Sequence, residues 1–210
     1  MGQLLDDLNN ELPEELAGRS RDAINWFRNN LRQVRVRSSS LLDELDPAVS
    51  RVELGRMYMF FYDAKTQDKL PYWDYFPLCI PIKRYSTGFM GLNLHYLAPR
   101  HRALLMDGLY DFFTDYEGDY AFNIRYPAVR SVSRLRWAKP CIKQYQYGYL
   151  NSRIVEVQPE HMDLVTMLPS QRFVSKGTTY NANSIYRDST VSYTHLRAHE
   201  TRGNLVCRLL

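Results

Sequence analysis

The sequence has only three cysteines, Cys79, Cys141 and Cys207, and no C-x-x-C pair, which argues against a disulfide scaffold. It has no apolar run near the roughly 18 residues of a membrane-spanning helix. Its first residues, Met1 to Leu16, are too acidic and too broken for a secretory signal, so we expect an intracellular, soluble chain with no membrane partner. It also lacks G-x-x-x-x-G-K, G-x-G-x-x-G and G-x-S-x-G, so no phosphate-cradling loop or nucleophile elbow is written in it. Acid is missing over one long stretch, Tyr120 to Val155, which contains no Asp or Glu at all. What is abundant is tyrosine, 16 in 210 residues, with 27 basic against 23 acidic side chains. That balance favours an aromatic core and anionic partners.

Val191 to Leu210 must be set apart before any site is read. Val191 to Thr201 is identical, residue for residue, to one reading frame of a transposase-type library adapter. Leu205 to Leu210 is identical to the flow-cell primer that follows in the same frame, with Arg202, Gly203 and Asn204 occupying the variable index. The segment holds His195, His199 and Glu200, whose H-x-x-x-H spacing would otherwise suggest a metal site. Excluding it as a fusion scar removes Cys207, Arg197, Arg202, Arg208 and Glu200, and leaves 24 basic and 22 acidic side chains of the original 27 and 23. We expect the native sequence to be interrupted at about Asp188 to Thr190.

From Ser20 to Val36 the apolar residues Ile24, Phe27, Leu31 and Val34 recur near helical period, which predicts an amphipathic helix. Its polar side carries Arg19, Arg21, Arg28, Arg32, Arg35 and Arg37 against Asp22. Such a face is either a solvated helix surface or, with six guanidiniums and no lysine, a phosphate- or carboxylate-binding one. Ser38 to Ser40 and the acidic residues up to Asp46-Pro47 predict a linker, so residues 1–50 are expected to form a basic helical arm and joint. Short aromatic-rich runs follow at 55–62, 72–76, 78–82 and 89–96, and predict strands, with Pro77 and Pro81 placing one of them at an edge or bulge. Pro99 to Phe113 has Ala103, Leu104, Met106, Leu109, Tyr110 and Phe113 on one face and predicts a helix opened by proline. A strand and turn over 153–168 are expected to close the fold. The fold class is therefore α+β: the helical arm, then over residues 51–175 a small, mostly antiparallel sheet or SH3-like barrel with one packed helix, then a polar, mobile tail over 176–190.

In the acid-free stretch Arg125, Arg130, Arg134, Arg136, Lys139, Lys143 and Arg153 alternate with Tyr126, Trp137, Tyr145, Tyr147 and Tyr149. Cations hold phosphates and aromatic faces stack on bases, which is what a nucleic-acid surface needs. The competing possibility is a core of tyrosines with arginines facing water. Cys79 and Cys141 read as packed thiols. Asp74, Asn93 and His95 lie among bulky apolar neighbours and are expected to specify the fold by hydrogen bonding between strands. Asp63, Asp68, Asp74 and Lys69 are the one cluster a magnesium-dependent nuclease could use, but they sit in a turn of the solvated hairpin kind, so no catalytic residue is assigned, and no metal or other cofactor.

Three runs are long enough to carry a resemblance: Met57-Tyr58-Met59-Phe60-Phe61-Tyr62-Asp63-Ala64-Lys65, Leu70-Pro71-Tyr72-Trp73-Asp74-Tyr75-Phe76-Pro77-Leu78 and Gly91-Leu92-Asn93-Leu94-His95-Tyr96-Leu97-Ala98-Pro99. As MYxFxYDxK, LPYxDxFPL and GLNLHYLxP they resemble a family of virion proteins of T-even-like tailed phages, cyanophage-type myoviruses among them. The family they most resemble is the DNA end protector. The resemblance implies a non-catalytic virion protein, present in the host cytoplasm during assembly, that binds the double-stranded ends of packaged DNA and shields them from exonuclease. The alternative it implies is a head-completion, neck, tail or baseplate protein that binds other virion proteins without DNA. It transfers no catalytic residue. On the end-binding alternative, this sequence's own chemistry makes Arg28, Arg32, Arg35, Arg130, Arg134, Arg136, Lys139 and Lys143 the expected phosphate contacts, with Trp137 and Tyr145 stacking on an unpaired end.

Overall fold

The computed structural model describes residues 37–45, 48–99, 101–102, 105–106, 129–134, 136–176 and 178–186. The helix expected over 20–36, with Arg28, Arg32 and Arg35, lies outside the described residues, as does the adapter-like tail. Within them run α1 (Ser38–Glu44), β1 (Ala48–Val49), β2 (Tyr58–Met59), β3 (Trp73–Asp74), β4 (Leu78–Tyr85), β5 (Gly88–Asn93), β6 (Ile142–Gln146), β7 (Ile154–Glu156), α2 (Met162–Met167), β8 (Phe173–Ser175) and β9 (Thr178–Thr179). Every strand pairing is antiparallel. One sheet has the order β1-β7-β2-β4-β5-β6 and the other β3-β8-β9. The fold is α+β, as expected.

The aromatic run around β2 has no polar partner in its alternation because the large sheet is covered on both sides. Met57 and Met59 face one core with Leu78, Ile80, Leu92 and Val155. Tyr58, Phe60 and Tyr62 face the other with Cys79, Phe89, Tyr145 and Ile154. In the second core Phe60 meets Tyr62, Phe89 and Tyr145 edge-on, with ring centroids 6.4, 5.8 and 5.1 Å away. Each fully buried side chain of this size stabilises the fold by about 1.5–3 kcal/mol, and edge-on aromatic pairs add roughly 0.5–1.5 kcal/mol.

β4 and β5 form the central hairpin, joined through Ser86 and Thr87. Its register shifts between Pro81 and Lys83, so the proline expected at an edge or bulge sits at a bulge of an interior strand. Pro81 lacks an N–H but its carbonyl is used, accepting from the N–H of Gly55 at 3.0 Å. Gly55 has φ 81, a backbone angle that glycine takes without penalty. Elsewhere the need for glycine is spatial. A Cβ on Gly91 would overlap Sγ of Cys79, and one on Gly88 would overlap the carbonyl oxygen of Tyr145. β5 can therefore lie this close to β6 only with hydrogen at position 88.

The segment boundaries differ from those expected. Ser38 to Leu45 is no linker: Ser38–Glu44 forms α1, and Leu41, Leu42 and the capping Leu45 are buried. Arg153 fastens it, donating to the carbonyl of Leu42 at 3.0 Å. Three leucines in so short a run set no readable period. The expected turn before Leu168 contains α2, which buries Met162, Leu164 and Val165. Part of the supposed polar tail is structured: β9 pairs with β8, residues 182–186 are helical, and Ile185 and Tyr186 are buried. Of the helix expected from Pro99, the described residues 99, 101–102 and 105–106 are helical, with Arg102, Leu105 and Met106 buried. Both Cys79 and Cys141 are buried free thiols, and burial pushes their pKa values up.

Candidate functional site

β3 of the small sheet and the end of β5 of the large sheet bring Asp74 and Asn93 together. Asn93 Nδ2 donates to Asp74 Oδ2 and to the Tyr145 hydroxyl, each at 3.0 Å. The backbone N–H groups of Phe76 and Arg172 donate to Asp74 Oδ1, both at 3.2 Å. Asn93 caps the short turn Leu94–Tyr96 through the His95 N–H, which positions the His95 ring. His95 Nδ1 then lies 2.8 Å from Asp74 Oδ2, and Nε2 lies 3.1 Å from the Ser170 hydroxyl. The expected hydrogen bonding among Asp74, Asn93 and His95 is present.

Burial alone would raise the Asp74 pKa, but the neighbouring His95, the donors His95 and Asn93 and the Arg172 backbone outweigh it and hold the carboxyl below its usual range. Burial is also the largest influence on His95; together with the Arg102 guanidinium it lowers the ring's pKa against the pull of Asp74. A neutral His95 next to an ionised Asp74 places the proton on Nδ1 and leaves Nε2 to accept from Ser170. This is the carboxylate-imidazole-hydroxyl order of an acyl-transfer relay. Here, however, Ser170 is 4% exposed and His95 0%, so a substrate has no route to Oγ in this conformation and the three groups join β3, the 94–96 turn and the chain leading into β8.

Arg102 is a second buried polar centre, fully enclosed. Its Nε donates to the Leu97 carbonyl at 2.8 Å, and its terminal nitrogens donate to Thr166 O at 3.3 Å, His95 O at 3.4 Å, Gln171 Oε1 at 3.2 Å and the Tyr186 hydroxyl at 2.8 Å. The acidic turn does not assemble as a metal site: Asp74 is consumed by His95, Asp63 accepts from Asn151, and Asp68 and Lys69 are exposed. Among the described residues no three His, Cys, Asp or Glu side chains converge as metal ligands.

The expected phosphate contacts separate into groups. Val129, Ala138 and Cys141 are buried and anchor a short segment from which Arg130, Arg134 and Lys139 are exposed. The side chains of Arg136 and Trp137 lie outside those described. Lys143 is half-buried with Nζ 4.1 Å from the centre of the Tyr96 ring, and burial lowers its pKa. Tyr145 is corrected from stacking residue to core residue, being 3% exposed with its hydroxyl bonded to Asn93. In β6 it alternates inward and stands opposite Phe89, a register that composition alone does not disclose.

An aromatic group that the acid-free stretch did not point to lies at the small sheet. Tyr180 stacks on Tyr72, with centroids 5.0 Å apart and planes 28° apart, and Tyr72 stacks on Tyr96 at 6.2 Å and 29°. Among the described residues Tyr180 is the exposed large hydrophobic, at 37%. Its only signal in the sequence is an aromatic residue in the polar run 175–189.

No helix among the described residues is long and apolar enough to cross a membrane. No curated protein and no solved structure matches the chain. A family model does: that of the phage T4 terminal DNA protecting protein matches residues 3–189, covering all three motif runs and ending just before the adapter-like segment. The chain therefore belongs to the family of the phage T4 terminal DNA protecting protein.

Proposed function

We propose that this chain binds the ends of packaged phage DNA in the virion and shields them by occlusion, without chemistry of its own. The family match over residues 3–189 carries this proposal. The exposed Arg130, Arg134 and Lys139 support it, since three cations on a segment anchored by buried Val129 and Ala138 can neutralise neighbouring phosphates. Arg28, Arg32, Arg35 and Arg136 belong to the same proposed surface, and Trp137 remains a proposed stacking residue. A protein of this kind is made in the host cytoplasm and meets head, neck or tail proteins as the particle is completed.

The test is the salt dependence of duplex binding. Changing Arg130, Arg134 and Lys139 together to Gln is expected to weaken binding and to reduce the slope of log affinity against log salt by roughly 0.9 for each phosphate that is no longer neutralised. Unchanged affinity and slope would remove these three side chains from the DNA surface and assign them to an acidic protein partner.

A further inference from the structure

We infer that Tyr180 is the platform on which the terminal base pair of an open DNA end stacks, extending the ladder formed by Tyr72 and Tyr96. The inference rests on the end-binding proposal and adds the element that would tell an end from the middle of a duplex.

Three observations carry it. The rings of Tyr180, Tyr72 and Tyr96 follow one another within 29° of parallel, so they form a stack rather than the edge-on packing found around Phe60. The buried ring of Tyr96 also has the Lys143 ammonium 4.1 Å from its centre. The outer end is the exposed ring of Tyr180, so another flat ring can be added there. A duplex interior offers no such ring, since each base pair is already stacked on both sides, whereas a terminal pair has one uncovered face. Stacking is tolerant of sequence because every base has a π face, which suits recognition of an end whatever its sequence.

Cations stand close to the platform along the chain. Tyr180 donates its N–H to the Phe173 carbonyl at 2.7 Å, extending the β8–β9 ladder by one pair. Arg172, adjacent to Phe173, is exposed with its guanidinium carbon 5.2 Å from the centre of the Tyr75 ring. Lys176, in the turn between the two strands, is exposed too. In this inference the two cations meet the phosphates nearest the end.

The test uses the full chain and two duplexes of one sequence, one with open ends and one closed by hairpins, with 2-aminopurine at either the terminal or an internal pair. Wild type and Tyr180→Phe are expected to change the terminal probe's fluorescence severalfold and leave the internal probe alone. Tyr180→Ala is expected to lose that change and to bind the open duplex about 5- to 100-fold more weakly, while its binding to the hairpin-closed duplex and its melting temperature hold. A wild type that prefers open ends but leaves the terminal probe unchanged, or a Tyr180→Ala chain that behaves as wild type, overturns the platform and spares the end-binding proposal. A Tyr180→Ala chain that loses hairpin binding equally assigns the residue to the fold and overturns the platform too. A wild type with no preference for open ends overturns both.

Discussion

Changing Asp74 to Ala is expected to cost several kcal/mol of folding stability, because it removes the charged acceptor of several buried hydrogen bonds. The reason is the number of donors that lose their acceptor: His95 Nδ1, one N–H of Asn93 Nδ2 and the backbone N–H groups of Phe76 and Arg172. Each unsatisfied buried group costs about 1–3 kcal/mol. Asp74→Asn is expected to lose less: its oxygen can still accept from the Phe76 and Arg172 N–H groups, and His95 can shift its proton to Nε2, accept from the new amide at Nδ1 and donate to Ser170, so the Asn93 contact is the one lost. Thermal melts of the two variants check the order. A midpoint for Asp74→Ala within about 2 °C of wild type would show that the network contributes little.

The same network sets a pH dependence whose sign follows from both pKa directions. His95 is lowered from 6.5 and Asp74 from 3.8 in the folded chain, so the unfolded chain binds protons that the folded chain refuses. Stability from His95 is fully present above pH about 6.5 and falls as the pH drops below that value, by up to about 1.4 kcal/mol per pH unit, until its folded-state pKa is reached. The contribution of Asp74 is present above its unfolded value near 3.8 and is lost as pH falls through its lower folded value. The melting temperature is therefore expected to fall as pH is lowered from 7 to 5, and His95→Gln is expected to flatten that part of the profile. A wild-type profile level from pH 7 to 5 would contradict the burial of a neutral imidazole at this position.

Arg102→Met is the second substitution with a large expected effect, a loss of several kcal/mol, since each buried acceptor left without its donor costs about 1–3 kcal/mol. Methionine follows the path of the side chain but leaves the carbonyls of Leu97, Thr166 and His95, the Gln171 amide oxygen and the Tyr186 hydroxyl without the donor they share. Lysine retains the charge but concentrates its donors on one atom, so Arg102→Lys is expected to recover only part of the stability. Because Arg102 is bonded to Tyr186, limited proteolysis of Arg102→Met is expected to cut sooner within residues 176–186 than it cuts wild type. Equal cutting rates and an unshifted melt would show that the apolar packing of Ile185 holds this segment unaided.

The features that the sequence discloses are those set by local pattern. The dense aromatic and β-branched runs at 55–62 and 78–82 lie at strands, and polar residues among bulky apolar neighbours, Asp74, Asn93 and His95, lead to the buried network. What remains hidden depends on partners distant in the chain. Residues 176–186 look like a polar tail because the groups that retain Tyr180 and Tyr186, namely Phe173, Tyr72 and Arg102, act through tertiary contact. Tyr145 shares its composition with a nucleic-acid surface, and only the β5–β6 register turns its ring into the core. The exposure of Arg130, Arg134 and Lys139 could be anticipated in kind but not by residue, because it depends on which neighbours, here Val129, Ala138 and Cys141, are drawn inward.

The central claim is end recognition, and one titration addresses it most directly: the full chain against an open linear duplex and a hairpin-closed duplex of the same length and sequence, across a salt series, with exonuclease digestion of the open duplex in parallel. The expected result is tighter binding to the open duplex, affinity that falls as salt rises, and slowed digestion at protein concentrations that saturate the ends. Equal binding to the two duplexes, or digestion at the unprotected rate when the DNA is saturated, would contradict it.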